Sequence, residues 1–150
     1  MNSKKLKGTA VTKLPKKTVN ALDPYEIGLQ IFPDSEKFIP VSRLDGFDIF
    51  ANPSIDVNGI ARHTITSRVI QQIDCGFSII VPKEYRLVFE PQPEYTSKGL
   101  IIQSALTGGE KQRVVVFAHN LGKEILVLNK GDKIARMYLT SNYNAKLFLN

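Results

Sequence analysis

Between residues 76 and 139, short runs of β-branched and aromatic residues alternate with turn residues at intervals of about 8–12 positions. No stretch of the chain keeps a 3.6-residue apolar period over ten or more positions, as a buried helix would. This combination predicts an all-β barrel or sandwich of roughly ten short strands. The strands are expected at 27–32, 47–51, 55–57, 64–74, 77–81, 85–90, 99–102, 113–118, 125–128 and 134–139. Pro33-Asp34-Ser35, Asn58-Gly59, Cys75-Gly76, Pro82-Lys83-Glu84, Pro91-Gln92-Pro93 and Lys130-Gly131-Asp132 punctuate them. Residues 113–118 are apolar almost throughout, the pattern of a strand buried on both faces.

A chain of 150 residues is one domain by size. No apolar run approaches the roughly 18–20 residues of a membrane span. The N-terminal lysines are not followed by an apolar h-region, so secretion by a signal peptide is not expected. A lone cysteine, Cys75, cannot form an internal disulfide, which fits a reducing compartment. With only His63 and His119 beside it, a zinc site is not expected either.

The net charge of +6 is unevenly placed. Lys4, Lys5, Lys7, Lys13, Lys16 and Lys17 fall in the first twenty residues, which hold no acid; the remaining fourteen Lys and Arg match the fourteen acids. The chain therefore divides into a basic extended arm (1–25), a neutral β domain (26–141) and a tail (142–150). Such an arm suits docking on an acidic surface. Aromatics are not interleaved with the lysines, so no stacking platform for single-stranded nucleic acid is visible.

The order of motifs resembles the trimeric dUTPase family over residues 27–140. Asp45-Gly46-Phe47-Asp48-Ile49 is similar to the family's Ala-Gly-Tyr-Asp-Leu. Phe38-Ile39-Pro40 precedes it, where the family has Leu-Pro. Cys75-Gly76-Phe77, Ile79-Ile80-Val81-Pro82 and Glu84-Tyr85 follow the next block. Gly131-Asp132-Lys133-Ile134-Ala135-Arg136-Met137 matches Gly-Asp-Arg-Ile-Ala-Gln-Leu. The resemblance implies a β-clip or distorted jelly-roll fold and a homotrimer, with a C-terminal segment that reaches a neighbouring subunit. Gly46, Phe47, Asp48, Gly76, Pro82, Gly131, Asp132, Ile134 and Ala135 are the scaffold positions retained.

The chemical positions are not retained. Where the family has Pro-Arg-Ser-Gly, this chain has Pro91, Gln92, Pro93 and Glu94. Glutamine has no charged fork for phosphate, and proline has neither hydroxyl nor N–H. Counting back from Asn120 places Thr107 at the family's base-activating Asp and Glu110 at the Tyr that packs under the deoxyribose. A threonine hydroxyl is no general base near neutral pH. The glycine-rich closing segment is missing, since residues 140–150 contain no glycine. Asp48, without phosphate and water partners, is read as a turn or inter-subunit hydrogen-bonding residue. Gly108-Gly109 is read as a hairpin turn rather than a phosphate nest.

These readings lead to a non-catalytic dUTPase-like homotrimer with no cofactor. It would be a structural or interaction module, such as a virion component, docked on another protein or assembly through its arm, in the virion or the host cytoplasm. The alternatives are a magnesium-dependent dUTPase yielding dUMP and pyrophosphate, and a regulatory trimer that binds nucleotide without hydrolysis.

Overall fold

The computed structural model describes residues 27–142 and 146–149. The six arm lysines lie outside the described residues. In chain order the strands are β1 (Gln30–Pro33), β2 (Val41–Arg43), β3 (Gly46–Phe50), β4 (Arg62–Ile65), β5 (Ile70–Ile80), β6 (Tyr85–Pro91), β7 (Leu100–Ile102), β8 (Ala105–Thr107), β9 (Lys111–Asn120), β10 (Leu126–Asn129) and β11 (Lys133–Ser141). A single-turn helix, α1 (Pro93–Thr96), links β6 to β7, and a 3-10 turn covers Glu36–Phe38.

The strands form antiparallel sheets ordered β1-β5-β9-β7 and β2-β3-β11-β6-β8, with β10-β4 as a two-stranded ribbon. The core lies between them. Ile73, Phe77, Ile79, Val114 and Val116 enter it from the first sheet, Ile49, Leu87, Ile134 and Met137 from the second, and Ile65 and Leu128 from the ribbon, all fully buried. The class expected from the turn spacing is therefore observed. No helix among the described residues is long and apolar enough to cross a membrane.

Several local expectations change. The strand expected at 55–57 is only an isolated bridge between Ile55 and Ala61, and β8 lies outside the expected strands. In β9, Val114, Val116 and Ala118 point inward, while Val115 is half-buried and Phe117 is 45% exposed, so the strand is buried on one face only. Its continuous apolar run reflects the strand preference of β-branched and aromatic residues on both faces of a pleat. The expected strand at 64–74 is two strands, β4 and β5, parted by a turn in which Arg68 takes φ 64° and its N–H reaches the Asn120 carbonyl at 2.7 Å. Cys75-Gly76 does not end a strand; β5 runs through it as a bulge, its register with β9 shifting between Asp74 and Ser78. The segment after Pro40 is β2, which forms a tight hairpin with β3 about Leu44-Asp45.

One register fixes the geometry of the site. Asp48 on β3 lies opposite Arg136 on β11, which lies opposite Glu90 on β6; four residues back along β6, Arg86 lies opposite Thr107 on β8.

Candidate functional site

Three of the family-motif positions converge on one carboxylate. Asp48 is 2% exposed in mid-strand, and its charge is met entirely within its own chain. Arg43 Nε on β2 donates to Oδ2, Lys133 Nζ at the start of β11 lies 3.1 Å from the same oxygen, and Gln92 Nε2 donates to Oδ1 at 2.8 Å. Gln92 is fixed in turn: its Nε2 also donates to the Ala135 carbonyl at 3.0 Å, and its backbone N–H to the Ile134 carbonyl at 3.0 Å. Burial raises the Asp48 carboxyl, but the hydrogen bonds from Arg43, Gln92 and Lys133 outweigh it and hold the group at about 2. The carboxylate is thus ionised, with three of its roughly four acceptor sites taken. Asp48 lies in mid-strand rather than in a turn, and these three bonds come from its own chain.

This donor set does not suit magnesium, which takes oxygen ligands and keeps several waters. Both Asp48 oxygens already face donors, two of them cationic. Among the described residues no group of three His, Cys, Asp or Glu is placed to hold a metal ion.

The residues after Gln92 have a local reason to be there. Pro93 is at the first helical position of α1, and Glu94 lies in its first turn, where an acid meets the positive end of the peptide dipoles. What reads as a lost phosphate clamp is a helix start. A proline at the first position with an acid beside it is a signal that could have found α1 in the sequence.

Thr107 and Glu110 lie elsewhere. They flank the connection from β8 in one sheet to β9 in the other, where a shallow recess of about 500 Å³ is lined by Thr107, Gly108, Gly109, Glu110 and Gln112. The connection is held by Gln112 Nε2, which donates to the Thr107 carbonyl. Its glycine N–H groups are also committed, Gly108 to the Tyr85 carbonyl at 3.0 Å and Gly109 to the Val81 carbonyl at 2.8 Å. A phosphate nest needs those N–H groups free, so neither expectation for this segment holds: it is no nest, and it is no hairpin turn either, because β8 pairs with β6 while β9 pairs with β5 and β7. A Cβ on Gly108 would lie 2.0 Å from the Pro82 carbonyl oxygen. Gly108→Ala is therefore expected to lift this connection off the Pro82 turn and cost about 1–2 kcal/mol. An unchanged urea midpoint would contradict the contact.

The two groups of motif positions are far apart. Asp48 and Thr107 are separated by three strand spacings, about 14 Å, and by four residues along β6, about 13 Å, hence roughly 20 Å in all. One chain does not bring them into a common site.

Two further polar clusters organise the scaffold. Arg113 on β9 pairs with Asp34 at 2.7 and 2.6 Å and with Asp74 at 2.8 and 2.7 Å. The hydrogen bonds from Arg113 hold the Asp34 carboxyl below its ordinary value. Asn120, fully buried, donates to the Ile65 and Glu124 carbonyls at 3.0 and 2.8 Å and accepts from the Gly122 N–H at 2.9 Å. Its amide ties the end of β4 to the β9–β10 loop. Cys75 is fully buried, and burial pushes its thiol well above the ordinary range, so it is an inert packing residue.

No protein-family model and no curated protein matches the sequence. Solved structures do match the fold. A point mutant of the dUTPase from phage phi11 of S. aureus superposes with a TM-score of 0.65 at 17% identity, covering 82% of this chain and 96% of that one. The EIAV dUTPase gives 0.66 at 19%, covering 82% and 97%. A mutant dUTPase of Staphylococcus bacteriophage 80alpha, solved with dUpNHpp, gives 0.64 at 15%, covering 82% and 96%. The fold is that of the dUTPases. Within this dUTPase-like fold the retained scaffold positions have visible tasks. Gly46 and Phe47 open β3, Gly76 forms the β5 bulge, and Pro82 caps the turn into β6. Gly131 and Asp132 make the turn into β11, with Asp132 Oδ2 accepting from the Asn129 N–H at 2.8 Å, and Ile134 and Ala135 are fully buried. Arg43, the main partner of Asp48, is the residue that sequence reasoning missed.

Proposed function

We propose that this chain is a dUTPase-fold protein that does not hydrolyse dUTP and serves as a structural or interaction module. The observation that carries the proposal is the engagement of Asp48 by Arg43, Lys133 and Gln92. With two cations on Oδ2 and the Gln92 amide on Oδ1, little of its acceptor capacity is left for an attacking water or a hydrated cation. The committed N–H groups of the β8–β9 connection, with Thr107 and Glu110 at its two ends, support the same reading. A site combining Asp48 with that connection would need a second copy of the chain, in keeping with a homotrimer. We place the docking function in the basic segment 1–25. By analogy with the phage and viral sources of the structural neighbours alone, we place it as a virion component, acting in the particle or the host cytoplasm.

A second reading has one observation in its favour. Phage 80alpha dUTPases are described as controlling transfer of virulence genes by a G protein-like mechanism. By analogy, this chain would be a regulatory trimer that binds nucleotide without turning it over.

Pyrophosphate release from dUTP with magnesium, beside calorimetric titration with dUpNHpp, separates these readings. The expected result is neither turnover nor binding. Turnover above background overturns the proposal in favour of the enzyme, and binding without turnover selects the regulator. Deleting residues 1–25 should leave the trimer intact by light scattering and abolish docking; a truncated chain that fails to fold would place those residues in the core.

A further inference from the structure

A preformed groove runs between α1 and β10. It encloses about 720 Å³, with Tyr95 and Leu126 among its lining, Lys98 on the helix side, and Lys123, Ile125 and Val127 on the strand side. Tyr95 and Leu126 are buried, whereas Ile125 and Val127 are 59% and 45% exposed. The walls are held at backbone contact. A Cβ on Gly99 would lie 2.6 Å from the Gly122 nitrogen, one on Gly122 would lie 2.2 Å from the Lys98 carbonyl oxygen, and the Leu121 N–H donates to the Gly99 carbonyl at 2.9 Å. Ser67 Oγ ties the Gly122 carbonyl at 2.6 Å. Little ordering is left for a ligand to impose.

The strand wall is an open edge. β10 pairs only with β4 among the described residues. The Lys130 N–H donates to the Ala61 carbonyl at 3.1 Å, which fixes the phase of the antiparallel ladder. Leu126 and Leu128 then turn their N–H and C=O toward β4, and Val127 and Asn129 turn theirs away. Asn129 spends both groups on Asp132, accepting at 3.0 Å and donating at 2.8 Å. Val127 is left with an outward donor and acceptor beside the groove.

We infer that this groove takes an extended acidic segment of a partner protein, added as a strand along β10. Main-chain bonds to Val127 supply the register. Alternate apolar side chains of the incoming strand pack over Leu126 and Tyr95 on one face and over Ile125 and Val127 on the other. The sign of the partner follows from Lys98 and Lys123 on opposite walls, with Glu124 the one acid in the lining. The chain's own tail, Lys146-Leu147-Phe148-Leu149, is basic and does not match. The inference deepens the interaction-module reading but rests on a different surface from Asp48.

The test uses the full chain and a synthetic ten-residue peptide of alternating valine and threonine flanked by two aspartates at each end. Binding is read by calorimetry, and its location by amide hydrogen exchange. Saturable binding with new protection at Val127 is expected, weakening with salt. Val127→Pro removes the outward N–H together with the isopropyl side chain, a substitution that edge strands tolerate, and should weaken binding at least tenfold. Lys98→Glu with Lys123→Glu should do the same, and a lysine-flanked control peptide should not bind. No binding at millimolar peptide, binding indifferent to Val127→Pro in a variant with wild-type melting, protection at another sheet edge, or tighter binding of a 142–150 peptide each overturns it. Peptide binding together with dUTP turnover would sink the non-catalytic reading and leave this one intact.

Discussion

Gly76→Ala is expected to lower stability by about 2–5 kcal/mol. Gly76 has φ 76°, in the left-handed region, where an L side chain costs about 1–2 kcal/mol. A Cβ there would also lie 2.3–2.7 Å from three ring atoms of Phe38, which is 3% exposed and has no room to retreat. Overpacking of that kind adds about 1–3 kcal/mol. The bulge has more than a steric task. The Gly76 N–H donates to Asp74 Oδ1 at 2.6 Å, and its carbonyl accepts from the Asp34 N–H at 2.8 Å. It thus holds together the two acids that Arg113 clamps and fixes the end of β1 to β5. Urea titration of Gly76→Ala, Phe38→Ala and the double variant separates the two costs. The double variant should recover the overlap part, about 2 kcal/mol of coupling, and retain the φ part. A single variant within about 1 kcal/mol of wild type would sink the account.

The same residue illustrates what the sequence could and could not tell. Cys75-Gly76 reads as a stop because glycine weakens strands. It is instead the pivot of an eleven-residue strand, and its left-handed φ together with the ring of Phe38 lying over it explains why glycine is required. Most strands were legible, because alternation and turn residues are local properties; the exceptions are short, an expected strand at 55–57 that is only an isolated bridge and a β8 outside the expected set. The β2–β3 hairpin and α1 were missed although each has a local signature, Asp45-Gly46 in one case and Pro93-Glu94 in the other. The Arg113 clamp has no local signature. Its partners are 79 and 39 residues away, brought together only by the β1-β5-β9 order.

Gln92 shows the same limit at the candidate site. The sequence states what it cannot do, which is grip a phosphate as arginine would. What it does depends on Asp48, 44 residues earlier, and on the Ala135 carbonyl, 43 residues later. An amide suits that place because it donates to both acceptors without adding a third cation beside Arg43 and Lys133. The exchange of residue type is thus compensated within the scaffold.

Asp48→Ala is the variant that tests this compensation, and it is expected to cost about 2–4 kcal/mol. Removing one member of a buried pair leaves its partners uncompensated, and a fully buried case reaches about 3–5 kcal/mol. Here the cations are 46% and 39% exposed and can swing into water, which reduces the cost. The electrostatic part has a pH signature. Asp48 titrates at about 2 in the folded chain against an ordinary 3.8. A lowered folded value means that its contribution is complete above about pH 4 and is lost as pH falls toward 2. After allowance for solvent screening by the exposed cations, that contribution is about 1–2 kcal/mol. Wild type should therefore lose stability between pH 4 and 2 more steeply than Asp48→Ala, and the gap between the two curves should narrow in acid by about 1–2 kcal/mol. Asp48→Asn should remove the same pH-dependent part while keeping more of the packing. Parallel curves for wild type and both variants across that window would mean that Asp48 is not the ionised centre of this cluster, and the strongest support for a non-catalytic protein would fall with it.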